Sequence, residues 1–217
     1  MKKLGIGCAV LAVLGFIVLV IIAIAGGSYN RLVTLSQNVD SKWAQVQNDY
    51  QRRADLIPNL VQTVSGAANF EKSTLTEITE ARASVGQVKI DPNAAPTDPQ
   101  KLADYQRAQG QLTVALSRLL VVSERYPDLK ANANFRDLQA QLEGTENRIT
   151  VARMDFNNAV QAYDTAIHSF PAFLYAGAAH FKDKPYFSAT AGAETPPKVQ
   201  FNFGSPGTSA PAAVPVK

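Results

Sequence analysis

Three observations predict an all-α protein with one membrane-spanning helix. An uncharged apolar run of 22 residues opens the chain, apolar residues recur every three or four positions through the middle, and the end is rich in proline and alanine without periodicity. The expected architecture is an N-terminal transmembrane helix, then an antiparallel up-down four-helix bundle, then a disordered C-terminal tail. As domains, residues 1–3 are a cytoplasmic N-terminus, 4–25 the transmembrane helix, 29–181 the helical bundle and 182–217 a flexible tail.

Leu4 to Ala25 reads LGIGCAVLAVLGFIVLVIIAIA. At ~1.5 Å rise per residue such a run matches the ~30 Å hydrocarbon core of a bilayer. A cleaved signal peptide is the rival reading, since Ala23, Ile24 and Ala25 fit the small-x-small rule. Signal h-regions, however, run to about 7–15 residues and relax into a polar stretch, whereas Val, Leu and Ile here continue to the would-be cleavage site. An uncleaved anchor is therefore preferred. Lys2 and Lys3 flank its short side, which keeps them cytoplasmic and sends the rest outward from the inner membrane, into the periplasm or extracytoplasmic space.

The first bundle segment carries Leu32, Leu35, Val39, Trp43, Val46 and Tyr50, the stripe of an amphipathic helix. Asp55 is a good N-cap and Pro58 a tolerated first-turn residue, so this helix is expected to end near Arg53 and a second to start there. The alternative is one rod kinked at Pro58. The second segment carries Leu56, Leu60, Val64, Ala67, Leu75, Ile78, Ala81, Val85 and Val88, to about Lys89. Residues 91–99, DPNAAPTDP, are turn chemistry, and Asp98 with Pro99 starts a third helix through Leu102, Tyr105, Leu112, Leu116 and Leu119 to Tyr126. A fourth opens around Asn132 or Asn134 and keeps Phe135, Leu142, Ile149, Phe156, Tyr163 and Phe170 in a seven-residue register. Pro171 to Phe181 is expected to cap the bundle end. From residue 182 small residues and proline dominate, and the expectation is disorder; Lys198 to Phe203 alternates as an extended, partner-binding segment would.

Function classes narrow by elimination. The formal charge is +3, yet residues 29–170 hold 15 Lys and Arg against 16 Asp and Glu. A phosphate-tracking protein needs its positive charge on the folded body, so nucleic acid is not an expected partner. One Cys and two His are too few for the usual four-ligand zinc site. No phosphate loop, GxSxG, HExxH or CxxC is present, and His168 and His180 read as helix-end and loop residues. No enzyme activity, cofactor or metal is expected. The densest polar cluster is YQRRADLIPNLV, Tyr50 to Val61, where Arg52, Arg53, Asp55 and Asn59 crowd the expected helix junction. A second polar line on the fourth helix, Glu143, Glu146, Arg148, Arg153 and Asn157, is placed to pair with it across the bundle. Together, Arg52, Arg53, Asp55, Asn59, Arg148, Arg153 and Asn157 form a candidate interaction patch for an acidic or peptide partner. Its structural reading gives Asp55 to a cap and an Arg to a helix end.

The order of the apolar opening, YNRLV at 29–33, Trp43 with Val46, RRADLIPNLVQTVSG at 52–66, FEKSTLTEITEAR at 70–82 and ENRITVARMDFNNAVQAYDTAIHSFP at 146–171 resembles the LemA family. The resemblance covers about residues 28–190 and implies a bacterial single-pass membrane protein with an exported helical bundle, in a family that also has a magnetosome-associated branch. About activity it implies little, since the family has no agreed biochemical function. The chain departs from the family pattern at GAANFE, 66–71, where a Tyr and a His are frequent before the Glu, and at AYDTAI, 162–167, where Asn usually follows the Tyr. The expected function is a membrane-anchored scaffold or interaction module of the cell envelope that recruits a protein partner, with a homo-oligomer among its expected assemblies. The alternative is a membrane-tethered sensor that binds a small ligand or peptide between helices, with Trp43 and Tyr50 lining the pocket.

Overall fold

The computed structural model describes residues 2–66, 71–91 and 94–189, with side chains from residue 13 onward. Its described residues form five α-helices, a 3-10 turn and no strand: α1 (Lys2–Ser65), α2 (Lys72–Gln87), α3 (Pro99–Ser123), α4 (Pro127–Ala131), α5 (Ala133–Ile167) and the turn Ala172–Leu174. The all-helical expectation holds.

The principal departure is α1. Its 64 residues run without interruption from the apolar opening into the bundle, about 96 Å at 1.5 Å per residue. Residues 13–24 are exposed along their whole length, and an 18-residue window of the helix from Val13 onward reaches a mean hydropathy of 2.1. From Leu32 onward the same helix buries Val39, Trp43, Val46, Tyr50, Ile57, Leu60 and Val64. The expected helix end at Arg53 is therefore corrected, as is the second helix start at Asp55. Asp55 caps nothing; its Oδ1 accepts a hydrogen bond from Gln51 Nε2 at 2.7 Å. Pro58 lies inside the helix. Proline deprives the carbonyl four residues back of its donor, and here Arg82 Nε from α2 donates to that carbonyl, Ala54 O, at 3.3 Å. An outside donor replaces the lost bond, and the apolar stripe stays in register across the proline. The helix ends instead at Ser65, and α2 begins at Lys72.

Other boundaries follow the sequence signals. Asp98 accepts from Gln100 N with Pro99 in the first turn, and Asn132 accepts from Asn134 N and Phe135 N to open α5. Both are side-chain N-caps that satisfy otherwise orphaned donors. Contacts between helices fix their relative directions. Lys42 pairs with Asp155 and Arg53 with Glu146, so α1 and α5 are antiparallel. Glu77 pairs with Arg118 and Glu71 with Arg125, so α2 and α3 are antiparallel too. Tyr105 bonds Gln47 and Gln109 bonds Arg53, which sets α3 parallel to α1.

Beyond α5 a second correction is needed. Residues 182–187, assigned to the tail by composition, lie extended along the bundle with Lys184 and Phe187 buried. The phenylalanine and the partnered lysine supply what the small residues after them lack: apolar area to bury and a charge that meets its counter-charge. The tail from residue 190, including the Lys198 to Phe203 segment, lies outside the described residues.

Candidate functional site

Two polar constructions stand out inside the bundle. The first is centred on Arg53, only 1% exposed. Its Nη1 donates to Glu146 Oε1 at 2.5 Å and to Thr113 Oγ1 at 2.8 Å. Nη2 donates to the Gln109 side-chain oxygen and, at 3.4 Å, to its backbone carbonyl. The guanidinium carbon lies 5.2 Å from the Tyr50 ring centroid, while Nε is buried without a partner. Three helices thus converge on one guanidinium, whose planar fork suits several acceptors at once. Burial pushes the Tyr50 hydroxyl up to about 12, against which Arg153 and Arg53 pull it down. Burial also raises Tyr105, whose hydroxyl donates to Gln47 Oε1 at 3.2 Å.

The second construction clamps residues 182–187. Asn157 Nδ2 donates to Phe187 O at 2.9 Å, and Phe187 N donates to Asn157 Oδ1 at 2.9 Å. One side-chain amide therefore pairs with both backbone groups of Phe187, as a neighbouring strand would. The Phe187 ring stacks on Trp43 with centroids 6.1 Å apart and meets Phe156 at 5.4 Å. Arg153 covers its outer face at 4.7 Å. Lys184 Nζ donates to Asp40 Oδ1 at 2.9 Å, and Lys184 N donates to Asp164 Oδ1 at 3.2 Å. Burial raises the Asp164 carboxyl, against the hydrogen bonds from Lys184 N and the Tyr186 side chain. Asp164 serves there as an acceptor.

The seven residues of the candidate patch therefore separate. Arg52, Asp55 and Asn59 are exposed on α1 and Arg148 is exposed on α5. Arg53 is interior, and Arg153 and Asn157 are half-buried parts of the Phe187 clamp. The expected pairing of the two polar lines is present as Arg53 with Glu146, but it lies inside the bundle. Nor does the cluster mark the bundle's far end, because α1 continues twelve residues beyond Arg53 to Ser65. Sequence reading missed Gln109, Lys184 and Phe187. A signal for Gln109 was available: it lies four residues after Tyr105 and three before Leu112, in the apolar register.

Trp43 and Tyr50 are both buried in the core. Trp43 is fully buried against Tyr105, Phe156 and Phe187, and its Nε1 donates to Asp91 O at 3.1 Å. Among the described residues no group of three His, Cys, Asp or Glu is placed to hold a metal ion. His168 pairs with Asp183 at 2.8 Å, both exposed.

The LemA family profile matches residues 42–201 of the chain. The chain belongs to the LemA family. Magnetosome protein MamQ 1 of Paramagnetospirillum magneticum is 27% identical over 203 residues, which cover 87% of this chain and 73% of that protein. Magnetosome protein MamQ of Magnetospirillum gryphiswaldense is 26% identical over 209 residues, 89% of this chain and 75% of its own length. Protein LemA of Metamycoplasma hominis is 23% identical over 144 residues, 66% of this chain and 61% of its own length. The matched LemA region takes in the Arg53 network and, apart from Asp40, the Phe187 clamp, while the apolar opening and the first bundle residues precede it.

Proposed function

We propose that this LemA protein is a non-enzymatic scaffold or interaction module of the bacterial cell envelope. It is anchored in the inner membrane by residues 4–25, with the N-terminus in the cytoplasm and the bundle on the other side. The observation that carries this reading is the continuity of α1: the apolar stretch and the core of the bundle are one helix of 64 residues. A continuous helical connection of this kind raises a surface to a set height above a membrane, which suits presentation to a protein partner. The family is not named for a reaction, and its MamQ relatives are named for the magnetosome, which supports a role outside catalysis. The packing of Trp43 and Tyr50 in the core lends a ligand-sensor reading no support from these two residues.

The patch that remains available to a partner is the exposed row Arg52, Asp55 and Asn59 on α1, with Arg148 of α5. In-cell photocrosslinking tests it. A photoreactive residue replacing Arg52, Asn59 or Arg148 forms a discrete adduct with another polypeptide, whereas one replacing exposed Val121 of α3 does not. Equal adducts at all four positions, or none at the first three, would refute the patch.

A further inference from the structure

Because α5 runs antiparallel to α1, its end returns to the level where the apolar stretch of α1 gives way to the bundle. Between them is a groove of about 580 Å³ whose walls include Ile24, Gly27 and Ser28 on one side and Phe170, Pro171 and Ala172 on the other. The turn after α5 is fixed in place. Ala172 and Ala176 are buried, and the Tyr175 hydroxyl donates to Ser28 Oγ at 2.8 Å. On this fixed turn three large apolar side chains face outward: Phe170 is 76% exposed, Phe173 56% and Leu174 67%. Single exposed apolar residues are ordinary, but three within five positions on one rigid turn are a patch that wants a cover.

We propose that Phe170, Phe173 and Leu174 form a foot that dips into the lipid interface beside the exit of α1, giving the protein a second contact with the membrane. This rests on the anchor reading above. The occupant is a lipid surface because the patch is continuous with the exposed apolar wall of α1: Ile24, 53% exposed, borders the same groove as Phe170. If residues 4–25 fill the hydrocarbon core, Phe170 stands at its boundary, the depth at which aromatic rings are favoured. Tyr29, half-exposed one turn above and packed on Phe181 with ring centroids 5.6 Å apart, belongs to the same girdle. With a foot beside the stalk, α1 cannot swivel freely about its own axis, so the bundle keeps one face toward a fixed direction along the membrane.

Depth-dependent quenching on the full chain tests the foot. In a Cys8→Ser background, a single cysteine replacing Phe173, Leu19 or Met154 carries an environment-sensitive fluorophore. The protein is reconstituted in vesicles of phosphatidylethanolamine and phosphatidylglycerol containing lipids spin-labelled near the headgroup or deep in the acyl chain. The label at 173 is expected to be blue-shifted and quenched severalfold more by headgroup-level spin labels than the label at Met154, which is exposed on α5. The label at 19 is expected to respond to the deep quencher. A label at 173 that behaves like the one at 154, while that at 19 is quenched, overturns the foot and leaves the anchor standing. An unquenched label at 19 overturns both. Unchanged emission of buried Trp43 in each variant reports that the bundle is intact.

Discussion

Nearest the anchor, the bundle interior is built from rings: Trp43, Tyr50, Tyr105, Phe156, Tyr163 and Phe187 share one cluster with small residues such as Ala152, Ala159 and Ala166. Farther along, the interior is mostly aliphatic, with Ile57, Leu60, Val64, Ile78, Leu112, Leu116, Leu119 and Leu142 around Phe135. The ring-built half is also tied by partly buried polar bonds between distant segments, Trp43 to Asp91, Lys184 to Asp40 and Asn157 to Phe187. Its aliphatic counterpart relies on packing, and the ion pairs across its surface, Arg118 with Glu77 and Arg125 with Glu71, involve arginines about 60% exposed. Pairs of that kind contribute about 0–1 kcal/mol each. The half next to the apolar stretch is thus held by directional contacts that fix one arrangement, and the far half by contacts that tolerate repacking.

Removing the central ring should break this comparison most strongly. Trp43→Ala takes away a fully buried indole that meets three other rings, and is expected to cost about 4 kcal/mol. Leu116→Ala in the far half should cost less, about 2–3 kcal/mol. Urea unfolding followed by far-ultraviolet circular dichroism in detergent compares the two, and equal losses would argue against a difference between the halves. Next in size is Arg53, which lies where the two clusters meet. Arg53→Met leaves buried Gln109 without its partner and frees Glu146, at a cost of about 3 kcal/mol. Arg53→Lys should recover little of it, because an ammonium cannot replace the planar fork.

A pH titration reaches the same boundary without mutation. Tyr50 is raised from 10.0 to about 12 in the folded protein. The folded state therefore holds this proton more tightly than the unfolded one. The resulting stability is present in full below pH 10 and is lost as pH rises toward 12, at ~1.4 kcal/mol per pH unit. Tyr50→Phe should flatten that alkaline loss; an unchanged slope would assign it to other tyrosines. Asn157→Ala comes next, at about 2 kcal/mol for two backbone groups of Phe187 left unpaired. Hydrogen exchange should then show residues 182–187 losing protection while the far half keeps its own. Loss spread evenly through the bundle would instead make Asn157 a general core residue.

Helix type and the capped starts at Asp98 and Asn132 were legible in the sequence because period and cap chemistry are local. The Arg53 network was half legible. Arg53 lies three residues after Tyr50 and four before Ile57. With Gln109, two polar residues stand in apolar registers, both of them buried. Their meeting at one level depends on the heights of α1 and α3, which periodicity does not set. Phe187 was illegible for another reason. Its hydrogen bonds come from Asn157, thirty residues earlier, and the proline-rich sequence around it has the composition of a tail.

Pro58 shows the same limit at its smallest energy. Read locally, a proline three residues after an aspartate starts a helix; in the folded chain it lies within one, because Arg82 supplies the donor that the proline ring removed. Arg82→Ala is therefore expected to cost about 0.5–1 kcal/mol. In a Pro58→Ala background the restored amide at position 58 bonds Ala54 O itself, and the same Arg82→Ala change should cost almost nothing. A double-mutant cycle isolates the difference as the coupling between the proline and the arginine. If Arg82→Ala costs the same in both backgrounds, its role is mere packing against α1. The continuity of α1 through Pro58 would then have to come from the apolar stripe alone, from Tyr50 and Ile57 on either side of Arg53 to Leu60 and Val64 beyond.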